Sequence, residues 1–461
     1  MTLQGSLYDL QPVGATTKDK TPNLLIMSCS NRPFASIQNS LSPLPVGEFA
    51  ALIGLDWGDA KHTIAMLPKG ATLIEDSVLE HRPETVHAWL DELAVRFQGQ
   101  PVAVAVEASK GAIVAALLEH AWIVIYPIHP ATSRRFSTAF TPSGAKDDQP
   151  DARVLLELIV HHRARLRAMA PHEPPTRQIG LLCEARRKLV DQRTMLGNQV
   201  TSLLKNYYPQ ALSLIADLVY APISLAFLER WPELALLQKA RLQTLRDFYY
   251  ANQVRRPEAV EKRLELISQS RALTTDRVFC EIGVLQLRAL VAQIRVLNAH
   301  LTKLEAALTA AFQAHPDATL FANLPGAGKA MAPRLCVLFG LDRQRWQNAS
   351  EMQKYYGVAP VIEKSGKQRF IHWRWSAPVF ARQTLVEWAG LSVKACAWAK
   401  AYYLHQRNKQ KSHSAILRSL AFKWLRILWR CWRERTVYDD ARYLAQLRQK
   451  NVPFLSFLPT D

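Results

Sequence analysis

"ALIGLDWGDAKHTIAML", residues 51–67, decides how the first third of the chain folds. A short apolar run ends in Asp56, Trp57 and Gly58, a few polar residues follow, and a second apolar run leads to Pro68-Lys69-Gly70. With "ATLIEDSVLE" (71–80) after that turn, the pattern predicts three consecutive strands in a meander. "PETVHAWLDELAVRF" (83–97) then reads as an amphipathic helix, with Pro83 at its start and apolar residues at 86, 89, 90, 93 and 97. "PVAVAVEA" (101–108) is a buried strand, "GAIVAALLEH" (111–120) a helix and "WIVIYPI" (122–128) a further strand.

The order β-β-β-α-β-α-β is that of a ribonuclease-H-like fold, a layered α/β domain that a helix over 150–167 would complete. Beyond it the fold class becomes α. Residues from about 176 to 315 look helical throughout. Leu287, Leu290, Ile294, Leu297, Leu301, Leu304 and Leu308 follow a 3-4 spacing, the seam of a coiled coil or of an antiparallel helical hairpin. Packing against 179–204 or against a second copy would satisfy it equally well. Near 318 a mostly helical C-terminal domain begins. Its "LPGAGKAMAPRL" resembles a helix-hairpin-helix, in which glycine amides approach a DNA phosphate. The expected divisions are a leader at 1–48, rich in Ser, Pro, Thr and Asn, an α/β domain at 49–170, a coiled-coil region at 171–316 and the C-terminal domain at 317–461. The leader reads as an over-extended start, with Met27 an alternative initiator.

The formal net charge is +19, from 58 Lys+Arg against 39 Asp+Glu, which points to a polyanionic partner, nucleic acid before membrane. Six cysteines without a Cys-x-x-Cys pair exclude a zinc ribbon and suit a reducing cytoplasm. No apolar run reaches the length of a membrane span. The basic end of the chain supplies Lys423, Arg426, Arg430 and Arg433 as phosphate contacts, beside an apolar face of Leu417, Leu420, Trp424, Leu428 and Cys431 that reads as core.

Four carboxylates stand where this fold gathers acids. Asp56 ends the first strand and Glu107 the fourth, which lie side by side in such a sheet. Asp148 and Asp151 share a face at the start of the last helix, although Asp147 with Asp151 would do so too. Oxygen ligands in this number suit Mg²⁺, and two ions could bridge a scissile phosphate. Each acid alone has a plain structural explanation, as a strand end or a helix cap. Ser365, in "EKSGKQ", reads locally as a turn residue among Lys364, Lys367 and Arg369.

Taken in order, these motifs resemble the IS-one-ten and IS-eleven-eleven insertion-sequence transposases, the bridge-RNA-guided serine recombinases. "IGLDWGDAKH" and "AVEAS" match the first two acids of the family's RuvC-like DEDD domain. Lys146, Asp148, Asp151 and Ala152 match its Lys-x-Asp-x-x-Asp-Ala element, which favours Asp148 over Asp147. Gly357, Pro360, Ser365 and Gly366 match the lead-in and the catalytic serine of its C-terminal transposase domain. The aromatic "FIHWRWSAPVF" departs from the family's Gly-x-Ile-x-Lys-x-Gly segment.

The resemblance implies a DNA transposase that mobilises an insertion sequence by serine attack on a DNA phosphate. It implies Mg²⁺ held by Asp56, Glu107, Asp148 and Asp151. It also implies a noncoding bridge RNA that pairs with donor and target DNA, and a homo-oligomer, dimer or tetramer, joined through the coiled coil. Lys364, Lys367 and Arg369 would hold phosphates near the serine. Two alternatives are a metal-dependent nuclease or junction resolvase in which water attacks, and a non-catalytic nucleic-acid-binding relic of a transposon.

Overall fold

The computed structural model describes residues 49–107, 110–140, 148–170, 172–366, 368–374 and 376–458, with backbone alone at 140 and 148–150. The expected leader lies outside the described residues. The chain divides into two compact units, Met1–Met169 and Ala170–Asp461.

The first unit holds a mixed five-stranded sheet: β1 (Ala51–Trp57), β2 (Lys61–Pro68), β3 (Glu75–Glu80), β4 (Val102–Val106) and β5 (Ile123–Pro127), in the order β3-β2-β1-β4-β5. β1 pairs antiparallel with β2, and β2 with β3, as a meander must. β1–β4 and β4–β5 are parallel, because helices α1 (Pro83–Arg96) and α2 (Ala112–Leu118) carry the crossovers. Strand side chains alternate between faces, and the two faces bury different partners. Ile53, Leu55, Val102, Val104 and Val106 pack with Val86, Leu90 and Leu93 of α1 and Ile113, Val114 and Leu117 of α2. Leu52, Ala103 and Ala105 face the other way, onto Ala152, Leu155, Leu156 and Ile159.

Those four residues belong to α4 (Asp148–His162), which starts two residues before the position expected from sequence and ends in a 3₁₀ turn at Arg163–Arg165. Gly54 is what lets α4 lie so close. A Cβ there would come within 2.0 Å of the Ala152 carbonyl oxygen and 2.6 Å of the Leu156 nitrogen. A further helix, α3 (Pro130–Phe140), was not legible in the sequence.

The second unit is mostly helical. Its longest elements, α5 (Pro174–Tyr207) and α11 (Arg277–Gln313), pack antiparallel: Arg186 meets Glu305 near one end, and Tyr207 lies against Gly283 at the other. The leucine seam thus has a partner within the chain. Leu287, Ile294, Leu301 and Leu308 are buried, whereas Leu290, Leu297 and Leu304 remain half-buried. Between the long helices, α6 (Ala211–Leu214), α7 (Pro222–Arg230), α8 (Leu234–Gln238), α9 (Leu242–Ala251) and α10 (Pro257–Gln269) build their own core around Phe227, Trp231 and Tyr249.

A separate core joins the root of α5 to α12 (Ala318–Ala322), α13 (Gly328–Phe339), α14 (Ala349–Tyr355), α15 (Val379–Ala395), α16 (Ala397–Asn408), α17 (His413–Glu434) and α18 (Asp440–Gln449). Trp424 stacks between Trp388 and Trp398, each ring centre 4.7 Å away, so the aromatic stripe of α17 is core. One two-stranded hairpin, β6 (Val361–Ser365) and β7 (Gln368–His372), stands out of this helical body with most of its residues exposed. The stretch expected as an aromatic loop therefore begins as strand β7 and ends in α15. Among the described residues no helix is long and apolar enough to cross a membrane.

Candidate active site

Asp56 and Glu107 come together by register. Leu55 of β1 stands opposite Val106 of β4, so the next residue on each strand is an acid. The pleat puts both on the face of Leu52, Gly54, Ala103 and Ala105, the face that α4 covers. The direction of α4 follows from two contacts. Ala152 and Leu156 sit on Gly54, while Arg163, just beyond the helix, lies 5.0 Å from the ring centre of Phe49, just before β1. The helix therefore runs against β1, and its first turn, with Asp148 and Asp151, points toward the Asp56 end of the sheet. Of Asp148 the backbone alone is described; Asp151 is exposed.

Two neighbours escaped the sequence reading. Ser133 of α3 is buried and donates a hydrogen bond to a Glu107 carboxylate oxygen, which fixes that carboxylate's orientation. His62, fully buried opposite Trp57, accepts from the Gly58 backbone N–H through Nδ1 at 3.3 Å. Its Nε2 therefore carries the proton and donates to His81 Nδ1 at 2.9 Å. Burial, reinforced by His81, pulls the His62 pKa below its ordinary value. This pair pins the turn that follows Asp56. No sequence signal marks Ser133, since its helix lacks apolar periodicity. Among the described residues no three His, Cys, Asp or Glu side chains converge closely enough to hold a metal ion.

Ser365 belongs to the second unit. It is the last residue of β6, exposed and paired with Gln368 across a two-residue connection in which Gly366 has φ +57°. Gly357, φ +72°, closes the foot of the hairpin: a Cβ there would lie 2.5 Å from Cβ of Ala377. Pairing puts Ser365 and Gln368 on one face with Glu363 and Phe370, and His372 Nε2 lies 3.0 Å from Glu363 Oε2. Lys364 and Arg369 are opposite one another on the other face. Lys367 lies outside the described residues.

The basic candidates of α17 separate as well. Lys423 is half-buried, its Nζ 5.1 Å from the ring centre of Tyr402 and 5.6 Å from that of Phe454. Burial, then the charge of Arg426, lowers its pKa. Arg426 is exposed, Arg430 pairs with Glu434 at 2.9 Å, and Arg433 donates to the Arg343 carbonyl. In the glycine turn between α12 and α13, Gly326 packs against the backbone of Leu391 in α15, and Trp388 Nε1 donates to Pro325 O at 3.0 Å.

Acids at the ends of neighbouring strands, in an α/β domain joined to a basic helical body, are the layout of a DNA-processing enzyme. Comparison with known proteins narrows the class to transposases. The DEDD transposase model of IS110 matches residues 53–209, and the model of the transposase IS116/IS110/IS902 family matches residues 318–404. The mini-circle protein of IS117 from Streptomyces coelicolor is 27% identical over 402 residues, covering 86% of this chain and 97% of that protein. An uncharacterized 43.6 kDa protein of insertion element IS110, from the same organism, is 25% identical over 402 residues, with 85% and 96% covered. An uncharacterized 44.8 kDa protein of insertion element IS116, from Streptomyces clavuligerus, is 23% identical over 419 residues, with 86% and 97% covered. The chain belongs to the IS110 family of transposases.

Proposed function

We propose that the first unit is a ribonuclease-H-like catalytic domain whose Asp56, Glu107, Asp148 and Asp151 hold Mg²⁺, and that Ser365 is the nucleophile of a strand exchange guided by a noncoding bridge RNA. The observation that carries the first half is the shared register and face of Asp56 and Glu107, with the first turn of α4 directed to the same end. Carboxylate oxygens are the ligands a hard divalent cation prefers, so the donor set fits. Bound there, Mg²⁺ supplies Lewis-acid charge for a scissile phosphate.

The chain's own part is to present the hydroxyl. Ser365 Oγ bonds to phosphorus and releases its proton to water; the bond from phosphorus to the 3′ oxygen breaks, and that oxygen leaves as a hydroxyl after taking a proton from water. Its place at the tip of a protruding hairpin suits attack on a large substrate. The net charge of +19 supports a load of RNA together with DNA, base pairing then supplying sequence choice. The half-buried Leu290, Leu297 and Leu304 support a homo-oligomer, dimer or tetramer, joined along α11. Free thiols at every described cysteine support action in the cytoplasm, beside the nucleoid.

The test incubates the full chain with Mg²⁺, a DNA carrying the element's ends, and the RNA transcribed from them, and then resolves protein–DNA adducts under denaturing conditions. Wild type gives an adduct; Ser365→Ala and Asp56→Asn give none, while both still bind DNA. Undiminished cleavage by Ser365→Ala would leave a hydrolytic nuclease instead. Undiminished recombination by Asp56→Asn would remove the metal site.

A further inference from the structure

We propose that Arg374, Arg382 and Arg418, gathered round Trp373 at the foot of the Ser365 hairpin, bind a backbone phosphate of a nucleic-acid strand. Trp373 is the first residue after β7. The guanidinium carbon of Arg382, in the first turn of α15, lies 5.1 Å from its ring centre, and that of Arg418, from α17, lies 4.2 Å away. Arg382 Nη1 also donates to the carbonyl of Arg374 at 3.0 Å, which draws the third arginine into the group.

This cluster lacks the anions that ordinarily accompany it. Neither Arg374 nor Arg418 makes an ion pair among the described residues, and Arg374 Nε is buried without a hydrogen-bond partner. The sole carboxylate of α15, Glu387, is engaged by Arg334 at 2.6 Å and by Arg187 at 3.5 Å. The sole carboxylate of α17, Glu434, is held by Arg430. Burial pulls the Arg418 guanidinium below its ordinary pKa, and no neighbouring acid pulls it back.

Arginine does not shed its proton at such a site, so the uncompensated charge calls for an external anion. A phosphodiester suits it: guanidinium forks donate in pairs to phosphate oxygens, and Trp373 holds two of the forks in place through its ring face. The ligand class rests on the transposase assignment and on the hairpin's part in the proposed function. It does not rest on Ser365 being the nucleophile.

The experiment measures binding of the full chain to a labelled DNA duplex and, in parallel, to a labelled structured RNA, across a salt series. Arg374→Gln and Arg418→Gln each lower the slope of log K against log salt by about 0.9 for duplex DNA or about 0.7 for a single strand, one released counterion per lost phosphate contact. Arg418→Lys keeps the slope. The arm in which the slope falls identifies the strand as DNA or RNA. Unchanged slopes in both arms, for variants that melt at the wild-type temperature, overturn the site. Should Arg418→Gln fail to fold, Arg374→Gln decides alone. Ser365→Ala leaves the slope intact, so loss of the covalent adduct without loss of slope bears on the serine and not on this cluster.

Discussion

Gly54→Ala tests the contact that brings the acids together. The added methyl would sit 2.0 Å from the Ala152 carbonyl oxygen, where real Cβ atoms essentially never come closer than 3.0 Å. The obstructing atoms are the backbone of α4, which cannot rotate aside as a side-chain tip would. α4 must therefore withdraw by about an ångström, and overpacking of this kind costs typically 1–3 kcal/mol, here toward ~3. Because the first turn of α4 carries Asp148 and Asp151, the same shift misplaces the acids, and an ångström of misplacement can cost about 100-fold in rate. The assay pairs thermal melting with strand-cleavage rate, measured at a temperature where the variant remains folded. Ile53→Val is the control. Ile53 is fully buried on the opposite face, so its truncation costs about 1 kcal/mol and leaves α4 in place. Wild-type stability and cleavage in Gly54→Ala would refute the docking of α4 on β1, and with it the convergence of the acids.

Other expectations concern the second unit. Asp317, 7% exposed, pairs with Arg343 at 2.7 Å; Asp317→Asn leaves that guanidinium without its counter-charge and costs about 3 kcal/mol in chemical denaturation. His172 is held at a pKa of about 4 by burial and then by Arg345, against 6.5 when free. The unfolded chain thus binds the proton first, so stability is full above pH 6.5 and falls as pH drops toward 4, by about 2 kcal/mol after allowance for partial exposure. His172→Phe flattens that part of the stability–pH curve, read by denaturant titration at each pH. Lys423→Met removes a charge that faces Tyr402 and Phe454, costs at most ~1 kcal/mol, and leaves the salt dependence of DNA binding unchanged. A slope reduced by about 0.9 would return Lys423 to the phosphate contacts.

Much of the first unit was legible because its strands alternate or bury both faces, and its crossover helices repeat at helical spacing. Ala103 and Ala105 against Val102, Val104 and Val106 even show which face meets a closely packed helix. α3 was not legible: "HPATSRRFSTAF" has no apolar stripe, since it is largely exposed, and Ser133, the partner of Glu107, went unseen with it. The seam of α11 was read from its spacing, but spacing alone could not tell which leucines face α5. The hairpin was legible only at its turn. Its strands lack a buried face, so Ile362, Phe370 and Ile371 give no core period to detect.

The hairpin also corrects a habit of reading charge by proximity in sequence. Lys364 adjoins Ser365 in the chain, yet adjacent residues of a strand project to opposite faces, and Arg369 follows Lys364 because the two are paired. A phosphate approached from the serine's face meets Glu363, an acid that His372 holds at 3.0 Å, not the two cations. Positive charge on that side has to come from groups brought up by the fold. Trp373 leaves β7 at the foot of the hairpin and there collects Arg382 and Arg418 from two different helices. Those two helix residues lie 17 and 53 positions beyond Ser365, and no local window joins them to it. Residues that share a strand were nearer in sequence but separated by the pleat; residues that share a ring were far apart in sequence and joined by it.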